Sequence, residues 1–446
     1  MSPNTDTIIA FSTPPGISAV AVLRLSGPEA LSIVLPFLSV HTLAPRHATF
    51  ARFTDNGNII DEIVATYYPA PHSYTADDMV EITCHGSLYI RQHIIDTLID
   101  AGARLAQPGE FTLRAVRAGK LDLSQAEAVA DLIDAVSPAQ HRLAVSQLRG
   151  GYAQKLSHLR EQLVDLTSLL ELELDFSQED VEFADRNQLL ATIRRILDET
   201  QVLLDSFQTG NAIKHGVPVA IVGAPNVGKS TLLNALLNDD RAIVSDTPGT
   251  TRDTIEESLL IDGILFRIID TAGIRQATDD IERQGILRSQ KAQEQASVII
   301  HLSDTSSPLP APDGNTLNDG KIYIHVVNKS DLLPSCPPPT PLQPSSCLFI
   351  SARTGEGIDR LRQALVDALG AAPRSDILLS NVRHRDALLR MRSALSAAYD
   401  ELLGHIPADL VAIDLRDALY HLGTITGQVT SDDILDSIFS RFCIGK

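Results

Sequence analysis

The sequence predicts a multidomain chain with an α/β N-terminal domain, a helical domain and a second α/β domain inserted into the helical one. Its 446 residues correspond to about three domains of typical size. Hydrophobic periodicity mixes strands and helices at first and then becomes helical. Strands next alternate with helices, and helical spacing finally returns. These changes predict boundaries between residues 1–118, 119–215, 216–375 and 376–446.

Composition and charge exclude several classes of protein. A hydrophobic fraction of 44% and a charged fraction of 21% are typical of a globular chain. The net charge of −19 argues against DNA as a partner and means that RNA would need a local basic surface. Four cysteines without paired spacing argue against disulfides or zinc. No apolar segment resembles a secretory signal or a membrane span, which predicts a cytoplasmic protein with no membrane partner.

The N-terminal residues show strand patterns at 8–12 and 19–25, separated by Pro14-Pro15-Gly16. Asn56-Gly57 between two extended runs predicts a β-hairpin, because both residues tolerate the positive φ of its turn. Residues 78–84 alternate as a half-buried strand does, and helical spacing follows over residues 90–98.

Helical spacing dominates residues 121–211. Ser124 with Glu127 resembles a capping box at a helix start. Gly150-Gly151 predicts a break before a long helix over residues 152–174. The next residues are acidic, which is typical of a solvated helix end. Metal binding is the alternative interpretation. Helical segments on both sides of an α/β pattern indicate that the α/β domain is inserted.

The strongest motif is a P-loop at residues 223–230, between a strand pattern at 217–222 and a helical run. Its glycines let backbone N–H groups converge on phosphate oxygens, and the helix N-terminus adds favourable partial charge. Lys229 is placed to reach the β- and γ-phosphates and to act in catalysis, while the Ser230 hydroxyl is placed to bind Mg²⁺.

Three further motifs follow strand patterns: Asp270-Thr271-Ala272-Gly273, Asn328-Lys329-Ser330-Asp331 and Ser351-Ala352-Arg353. The Asp331 carboxylate can accept two N–H donors on one edge of guanine, a pattern that adenine lacks. Together these motifs resemble the TRAFAC class of Ras-like P-loop GTPases and predict GTP as substrate. An ATP-dependent enzyme is disfavoured by Asp331.

Two positions depart from the Ras-like pattern. Ile274 stands where a water-orienting glutamine is usual, and Glu282 is the nearest candidate to replace it, unless it is a solvated helix residue. Asn226, together with the loop at residues 245–253, can supply oxygen ligands for a monovalent cation that neutralises developing charge. Arg252 and Arg275 are the alternative sources of positive charge.

Nearly the whole chain resembles the MnmE (TrmE) family of tRNA-modification GTPases. The resemblance rests on Thr13-Pro14-Pro15-Gly16, Leu23-Arg24-Leu25-Ser26-Gly27, Glu81 with His85-Gly86, Pro108-Gly109-Glu110-Phe111, Lys120-Leu121-Asp122-Leu123, Gly249-Thr250-Thr251-Arg252-Asp253 and the terminal Phe442-Cys443-Ile444-Gly445-Lys446.

The resemblance implies a nucleotide site in which K⁺ is bound by Asn226, Ser245, Thr247 and Thr250, and Mg²⁺ by Ser230 and Thr251. Glu282 would orient the attacking water through a second water. The implied GTP-contacting residues are Asn226, Val227, Gly228, Lys229, Ser230, Thr231, Ser245, Asp246, Thr247, Pro248, Gly249, Thr250, Thr251, Asp270, Thr271, Ala272, Gly273, Asn328, Lys329, Asp331, Ser351, Ala352 and Arg353.

The resemblance also implies a binding site for 5-formyltetrahydrofolate or a related tetrahydrofolate, at Arg24, Glu81, Lys120 and Lys446. Glu81 suits the pterin N–H edge, whereas Arg24 and Lys120 suit the glutamate tail. Cys443 has a possible role in one-carbon transfer, and its alternative is an ordinary buried cysteine.

The implied function is a K⁺-activated, Mg²⁺-dependent GTPase whose nucleotide domains dimerise. With the flavoprotein MnmG (GidA), a homodimer of this kind adds a carboxymethylaminomethyl group at wobble uridine 34 of certain tRNAs. The alternative is a GTP-switched ribosome-assembly factor without modification chemistry, against which the N-terminal domain and the C-terminal motif argue. Arginines in the helical segments could bind tRNA, or could simply be solvated helix charges.

Overall fold

The computed structural model describes residues 6–175, 186–237, 257–269, 292–305, 321–332, 347–368, 377–429, 432–440, 442, 444 and 445. The chain forms two compact units. We call Met1–Ala130 with Leu419–Lys446 the N-terminal unit, and Asp131–Ala418 the central unit.

The N-terminal unit is built on one sheet. Its elements are β1 (Ile8–Phe11), β2 (Ser18–Ser26), α1 (Ala30–Val34), β3 (Thr49–Asp55), β4 (Asn58–Tyr68), β5 (Met79–Gly86), α2 (Leu88–Asp100), β6 (Arg104–Leu105), α3 (Glu110–Arg117) and α4 (Leu123–Asp134), which crosses into the central unit. The strand order is β3-β4-β5-β2-β1-β6. The β1–β6 pair is parallel, and the other pairs are antiparallel.

The predicted hairpin at Asn56-Gly57 is confirmed, because this dipeptide joins β3 to β4 with φ values of 46° and 80°. One face of the sheet packs its apolar side chains against α1 and α2. Leu23 and Ile82 are fully buried there. Residues of opposite parity, including Arg24 and Glu81, therefore point to the other face of the sheet.

The predicted capping box at α4 is wrong by two residues. Asp122 Oδ1 accepts a hydrogen bond from the Gln125 N–H at 2.8 Å, and Gln125 Oε1 accepts one from the Asp122 N–H at 3.0 Å. Ser124 instead donates its hydroxyl to Asp122 Oδ1 at 2.7 Å. A carboxylate and an amide at this spacing satisfy the free N–H groups just as a serine and a glutamate would.

The central unit begins with helices α5 (Pro138–Leu148), α6 (Gly151–Asp175), α7 (Arg186–Asp205) and α8 (Phe207–His215). The predicted break is confirmed, since Gly150 has a φ of 85° between α5 and α6. Leucines at helical spacing bury one face of α6, namely Leu156, Leu159, Leu163, Leu166 and Leu170. The structure describes only the first part of the predicted acidic stretch, where Glu171 accepts a hydrogen bond from Arg416 at 2.7 Å.

The inserted α/β segment contains β7 (Val217–Val222), α9 (Lys229–Leu237), β8 (Glu257–Ile261), β9 (Ile264–Ile268), β10 (Val298–Asp304), β11 (Ile322–Asn328), β12 (Leu348–Phe349) and α10 (Ile358–Asp367). The strand order is β12-β11-β10-β7-β9-β8. Alternating strands and helices favour a parallel sheet, and this one is parallel except for one edge strand. Asp262 and Gly263 form a hairpin turn that pairs β8 with β9 in antiparallel fashion. The carboxyl ends of β7, β10, β11 and β12 meet at one edge.

After this segment the chain returns to helices: α11 (Val382–Leu403), α12 (Ala408–Thr426), which crosses into the N-terminal unit, and α13 (Asp432–Phe439). Within the N-terminal unit, Phe439 and Phe442 join Leu123 and Ala126 in a buried cluster. Among the described residues, no helix is long and apolar enough to cross a membrane.

Candidate functional site: a nucleotide site at the sheet edge

The P-loop is shaped by glycines that allow close backbone approach. Gly228 has a φ of 99°, and a Cβ on it would lie 2.3 Å from Asn328 Nδ2. A Cβ on Gly223 would lie 2.1 Å from the Leu302 carbonyl oxygen. Both positions therefore exclude any side chain, and the loop keeps backbone N–H groups available in front of α9, whose N-terminus attracts anions.

Lys229 is held at the edge of this loop. Its ammonium group donates hydrogen bonds to the Gly223 and Ala224 carbonyl oxygens, at 2.8 Å and 2.9 Å. Partial burial of Lys229 lowers its pKa from the ordinary value of 10.5. The side chain is thus positioned beside the phosphate cradle, where a polyphosphate would offer it stronger partners than carbonyl groups.

Asn328 braces the site from the end of β11. It is 3% exposed. Its Nδ2 donates to the Val227 carbonyl oxygen at 2.8 Å, and its Oδ1 accepts from the Ala352 N–H at 2.9 Å. One side chain therefore fixes the P-loop relative to the loop at residues 351–353. The sequence places Asn328 in the guanine motif but gives no sign of this double contact.

The residues predicted to recognise guanine lie together at the same edge of the sheet. The Ser351 hydroxyl donates to Asp331 Oδ1 at 2.8 Å, which orients the carboxylate. Lys329 has a φ of 64° and pairs with Asp304 Oδ2 at 2.9 Å. Asp304 was not among the predicted site residues. Its place at the carboxyl end of β10 was the signal that could have identified it.

Of the predicted cation ligands, Asn226 and Ser230 are described, and both side chains are exposed. Asn226 has a φ of 63°, a conformation that asparagine tolerates. The other predicted residues lie outside the described part of the chain: Ser245, Asp246, Thr247, Pro248, Gly249, Thr250, Thr251, Arg252, Asp270, Thr271, Ala272, Gly273, Arg275 and Glu282. Their roles stay predictions.

A second polar site lies on the face of the N-terminal sheet opposite to α1 and α2. Arg24 and Glu81 are register partners on β2 and β5, and Arg24 Nε donates to Glu81 Oε1 at 2.7 Å. The Arg24 guanidinium lies 5.8 Å from the centre of the Tyr74 ring. Lys120 donates to the Ser73 carbonyl oxygen. The two residues expected at opposite ends of a folate thus contact each other, whereas Cys443 and Lys446 lie outside the described residues.

Arg114 supports this region and was missed by the sequence analysis. It is 3% exposed, donates to Asp6 Oδ1 at 2.8 Å and to the Ser26 carbonyl oxygen at 3.3 Å, and pairs with Glu110 at 3.2 Å. It thereby ties the start of β1 and the end of β2 to α3. A buried arginine is found in proteins mainly where carboxylates surround it.

This arrangement defines a Ras-like P-loop GTPase: a P-loop joins a strand to a helix, and the predicted guanine motifs lie at neighbouring strand ends. Two family models match the chain: "GTP-binding protein TrmE N-terminus" over residues 7–120 and "MnmE helical domain" over residues 123–443. The chain belongs to the MnmE family of tRNA modification GTPases and is a GTP hydrolase.

Curated relatives match over nearly their whole length. The tRNA modification GTPase MnmE of Cytophaga hutchinsonii is 45% identical over 452 residues, covering 99% of this chain and 98% of the relative. The protein of the same name from Flavobacterium johnsoniae is 46% identical over 469 residues, covering 99% and 100%. A crystal structure of Aquifex aeolicus Era bound to GDP and AlF₄⁻ matches at 27% identity and a TM-score of 0.26, covering 40% of this chain and 65% of Era.

Proposed function

We propose that this chain is a K⁺-activated GTPase that acts with MnmG on tRNA. Together they would add a carboxymethylaminomethyl group at C5 of wobble uridine 34, with a tetrahydrofolate supplying a one-carbon unit. The observation that carries the proposal is the braced nucleotide site, in which Asn328 joins the P-loop to the guanine loop. Membership of a family named for tRNA modification supplies the substrate class.

The described residues account for binding of GTP. Backbone N–H groups of the P-loop and the Lys229 ammonium bind the phosphates, after Lys229 exchanges its two carbonyl partners for phosphate oxygens. Asp331, oriented by Ser351, accepts the N–H donors of guanine. Adenine lacks this pair of N–H donors and would leave the carboxylate without them, so this contact selects GTP over ATP.

Hydrolysis requires further groups in addition to those that bind GTP. Ser230 and Thr251 would hold Mg²⁺, while Asn226 and the backbone carbonyls of Ser245, Thr247 and Thr250 would hold K⁺. When bound, these cations stabilise the negative charge that develops on the phosphates. The Asn226 side chain fits this role because it is exposed and makes no hydrogen bond to the described residues. Glu282 would orient the attacking water.

The folate part of the proposal rests on the N-terminal unit. The side chains of Arg24 and Glu81 are 24% and 22% exposed. Because part of each side chain is accessible, a ligand could replace either partner of this ion pair. Glu81 would accept pterin N–H groups with Arg24, its hydrogen-bonded neighbour, at the same end of the ligand, and Lys120 and Lys446 would bind the glutamate tail, with Cys443 close in sequence to Lys446. We further propose a cytoplasmic homodimer with domains 1–118, 119–215, 216–375 and 376–446, in which paired nucleotide domains are active.

The proposal is tested by steady-state GTP turnover in K⁺, Na⁺ and Rb⁺ buffers, with oligomer size measured in parallel. K⁺ and Rb⁺, which are close in size, should stimulate turnover and pair the nucleotide domains, whereas Na⁺ should do neither. Asn226→Ala should abolish the stimulation while GTP still binds, and Glu282→Ala should lower turnover at unchanged affinity. Equal turnover in all three salts would refute K⁺ activation.

Equilibrium binding of 5-formyltetrahydrofolate separates the modification enzyme from a GTP-switched assembly factor. We expect saturable binding by the full-length protein, and weaker binding by Glu81→Gln, because the amide keeps the shape but loses the charge-assisted hydrogen bonds. Glu62→Gln is the matched control, since Glu62 lies on β4 of the same sheet, is 55% exposed and pairs with Arg52. A protein that binds no folate would favour the assembly factor.

A further inference from the structure

Helix α5 contacts two parts of the central unit. One is the nucleotide-binding segment, which runs from β7 to α10, and the other is the helical segment, which contains the remaining helices of the unit. Helix α5 spans 11 residues and is therefore about 16 Å long. Side chains and N–H groups at its two ends make hydrogen bonds to segments that are far apart in the sequence. These contacts make α5 a candidate for transmitting a conformational change between the two segments.

The first turn of α5 contacts the β8–β9 hairpin. The Ala139 N–H donates to the Gly263 carbonyl oxygen at 3.2 Å, and a Cβ on Gly263 would be in van der Waals contact with Pro138, at 3.7 Å. Ser137 caps the helix by accepting the Gln140 N–H at 3.1 Å. The Ala139 N–H is a first-turn donor without a partner in its own helix, so the hairpin satisfies it.

The same turn also contacts the end of α8, from which the chain enters the nucleotide-binding sheet. Gln140 Nε2 donates to the Lys214 carbonyl oxygen at 3.0 Å, and Lys214 Nζ pairs with Asp131 at 2.7 Å. Lys214 belongs to α8, which continues through Gly216 into β7 and the P-loop. A Cβ on Gly216 would lie 3.1 Å from Arg267 Cγ on β9, so Gly216 and the hairpin are closely packed.

The last turn of α5 contacts the link by which the chain returns to the helical segment. Gln147 Nε2 donates to the Leu378 carbonyl oxygen at 3.3 Å and to Ser380 Oγ at 3.0 Å. This link is buried, with Leu379 at 0% exposure and Ser380 at 1%, and it leads directly into α11. The Leu379 N–H donates to Ser206 Oγ at 3.0 Å, which also ties the link to the start of α8.

The hairpin is placed to respond to the nucleotide. It joins directly the two stretches that contain Gly249-Thr250-Thr251 and Asp270-Thr271-Ala272-Gly273, the motifs expected at the γ-phosphate and Mg²⁺. In GTPases, segments that contact these groups change conformation on hydrolysis. We propose that α5 transmits this change from the hairpin turn to residues 378–380 and α11. The inference deepens the proposed function, since it names how GTP hydrolysis reaches the helical segment.

The test is Gln147→Met in the full-length protein. Methionine keeps the length and helix propensity of glutamine but cannot donate to Leu378 and Ser380. The matched control is Gln154→Met on α6, because Gln154 is exposed and its side chain makes no hydrogen bond within the described part of the chain. Backbone hydrogen exchange at residues 378–381 is compared between GDP and a non-hydrolysable GTP analogue.

We expect the wild type and Gln154→Met to show a nucleotide-dependent exchange difference, and Gln147→Met to reduce it about fivefold or more. GTP turnover should stay within about twofold of wild type, while the yield of modified tRNA per GTP falls. If Gln147→Met loses thermal stability, Ser380→Ala, which removes one acceptor instead, provides the same comparison.

An unchanged exchange difference in both variants, or no difference in the wild type, would overturn the role of α5. Failure of the proposed function looks different. In that case the wild-type protein would hydrolyse GTP and show the exchange response, yet no modified tRNA would form with MnmG present.

Discussion

Replacing Asn328 by alanine is the most direct test of the braced nucleotide site. The substitution removes the donor to the Val227 carbonyl oxygen at 2.8 Å and the acceptor of the Ala352 N–H at 2.9 Å. Asn328 is 3% exposed, so water reaches the abandoned groups poorly. Each buried polar group left without a partner costs about 1–3 kcal/mol.

We take about 2–4 kcal/mol for the two groups together, because the loops can relax in part. That energy corresponds to a loss of roughly 30- to 1,000-fold in nucleotide affinity, if the site must recover its braced geometry in order to bind. Titration with a fluorescent GDP analogue measures the loss. Folding is followed separately by the thermal transition of the central unit, which contains Asn328.

Ser330→Ala is the matched control for this variant. Ser330 lies in the same motif, and its buried hydroxyl has no hydrogen-bond partner among the described residues. Its truncation should therefore leave affinity within about twofold of wild type. The reasoning would be refuted if Asn328→Ala also bound GDP within about threefold of wild type, because the brace would then contribute nothing to binding.

Two other predictions concern the same loop. Gly228→Ala should abolish GTP binding in an equilibrium titration, since its Cβ would lie 2.3 Å from Asn328 Nδ2; retained affinity would mean that the loop tolerates a side chain there. Because burial lowers the pKa of Lys229, its ammonium form is lost as pH rises through a value below 10.5. GTP affinity measured against pH should therefore begin to fall at lower pH than for an ordinary lysine, and a pH-independent affinity up to 10.5 would contradict this.

Local chemistry explains why the positions of the P-loop and of the motif at residues 328–331 could be predicted. A P-loop is continuous in sequence, and its requirements are positive φ values at particular glycines and a helix that starts at Lys229. The guanine motif likewise follows its strand directly. Because parallel strands end at one edge of a sheet, the alternation of strands and helices already implied that these motifs meet. The Asn56-Gly57 hairpin was predictable for the same local reason.

Contacts between residues distant in the chain required the tertiary structure. Arg24 and Glu81 contact each other only because β2 and β5 pair in one particular register, which periodicity does not specify. The edge strand β8 required the structure because its partner and direction depend on the Asp262-Gly263 turn. The capping box was misplaced because serine and aspartate are almost equally good caps.

The amino-acid order thus determines which chemistry is present, since P-loop, guanine motif and helix starts are short-range features. The packing of helices against the sheet decides which of these motifs and helices contact each other. Asn328 bonds to residues about a hundred positions earlier and 24 positions later, and Gln147 to one 231 positions later. Such pairs form because the whole chain folds so as to bury its apolar surface, and every segment contributes to that burial. A local sequence pattern does not specify the result.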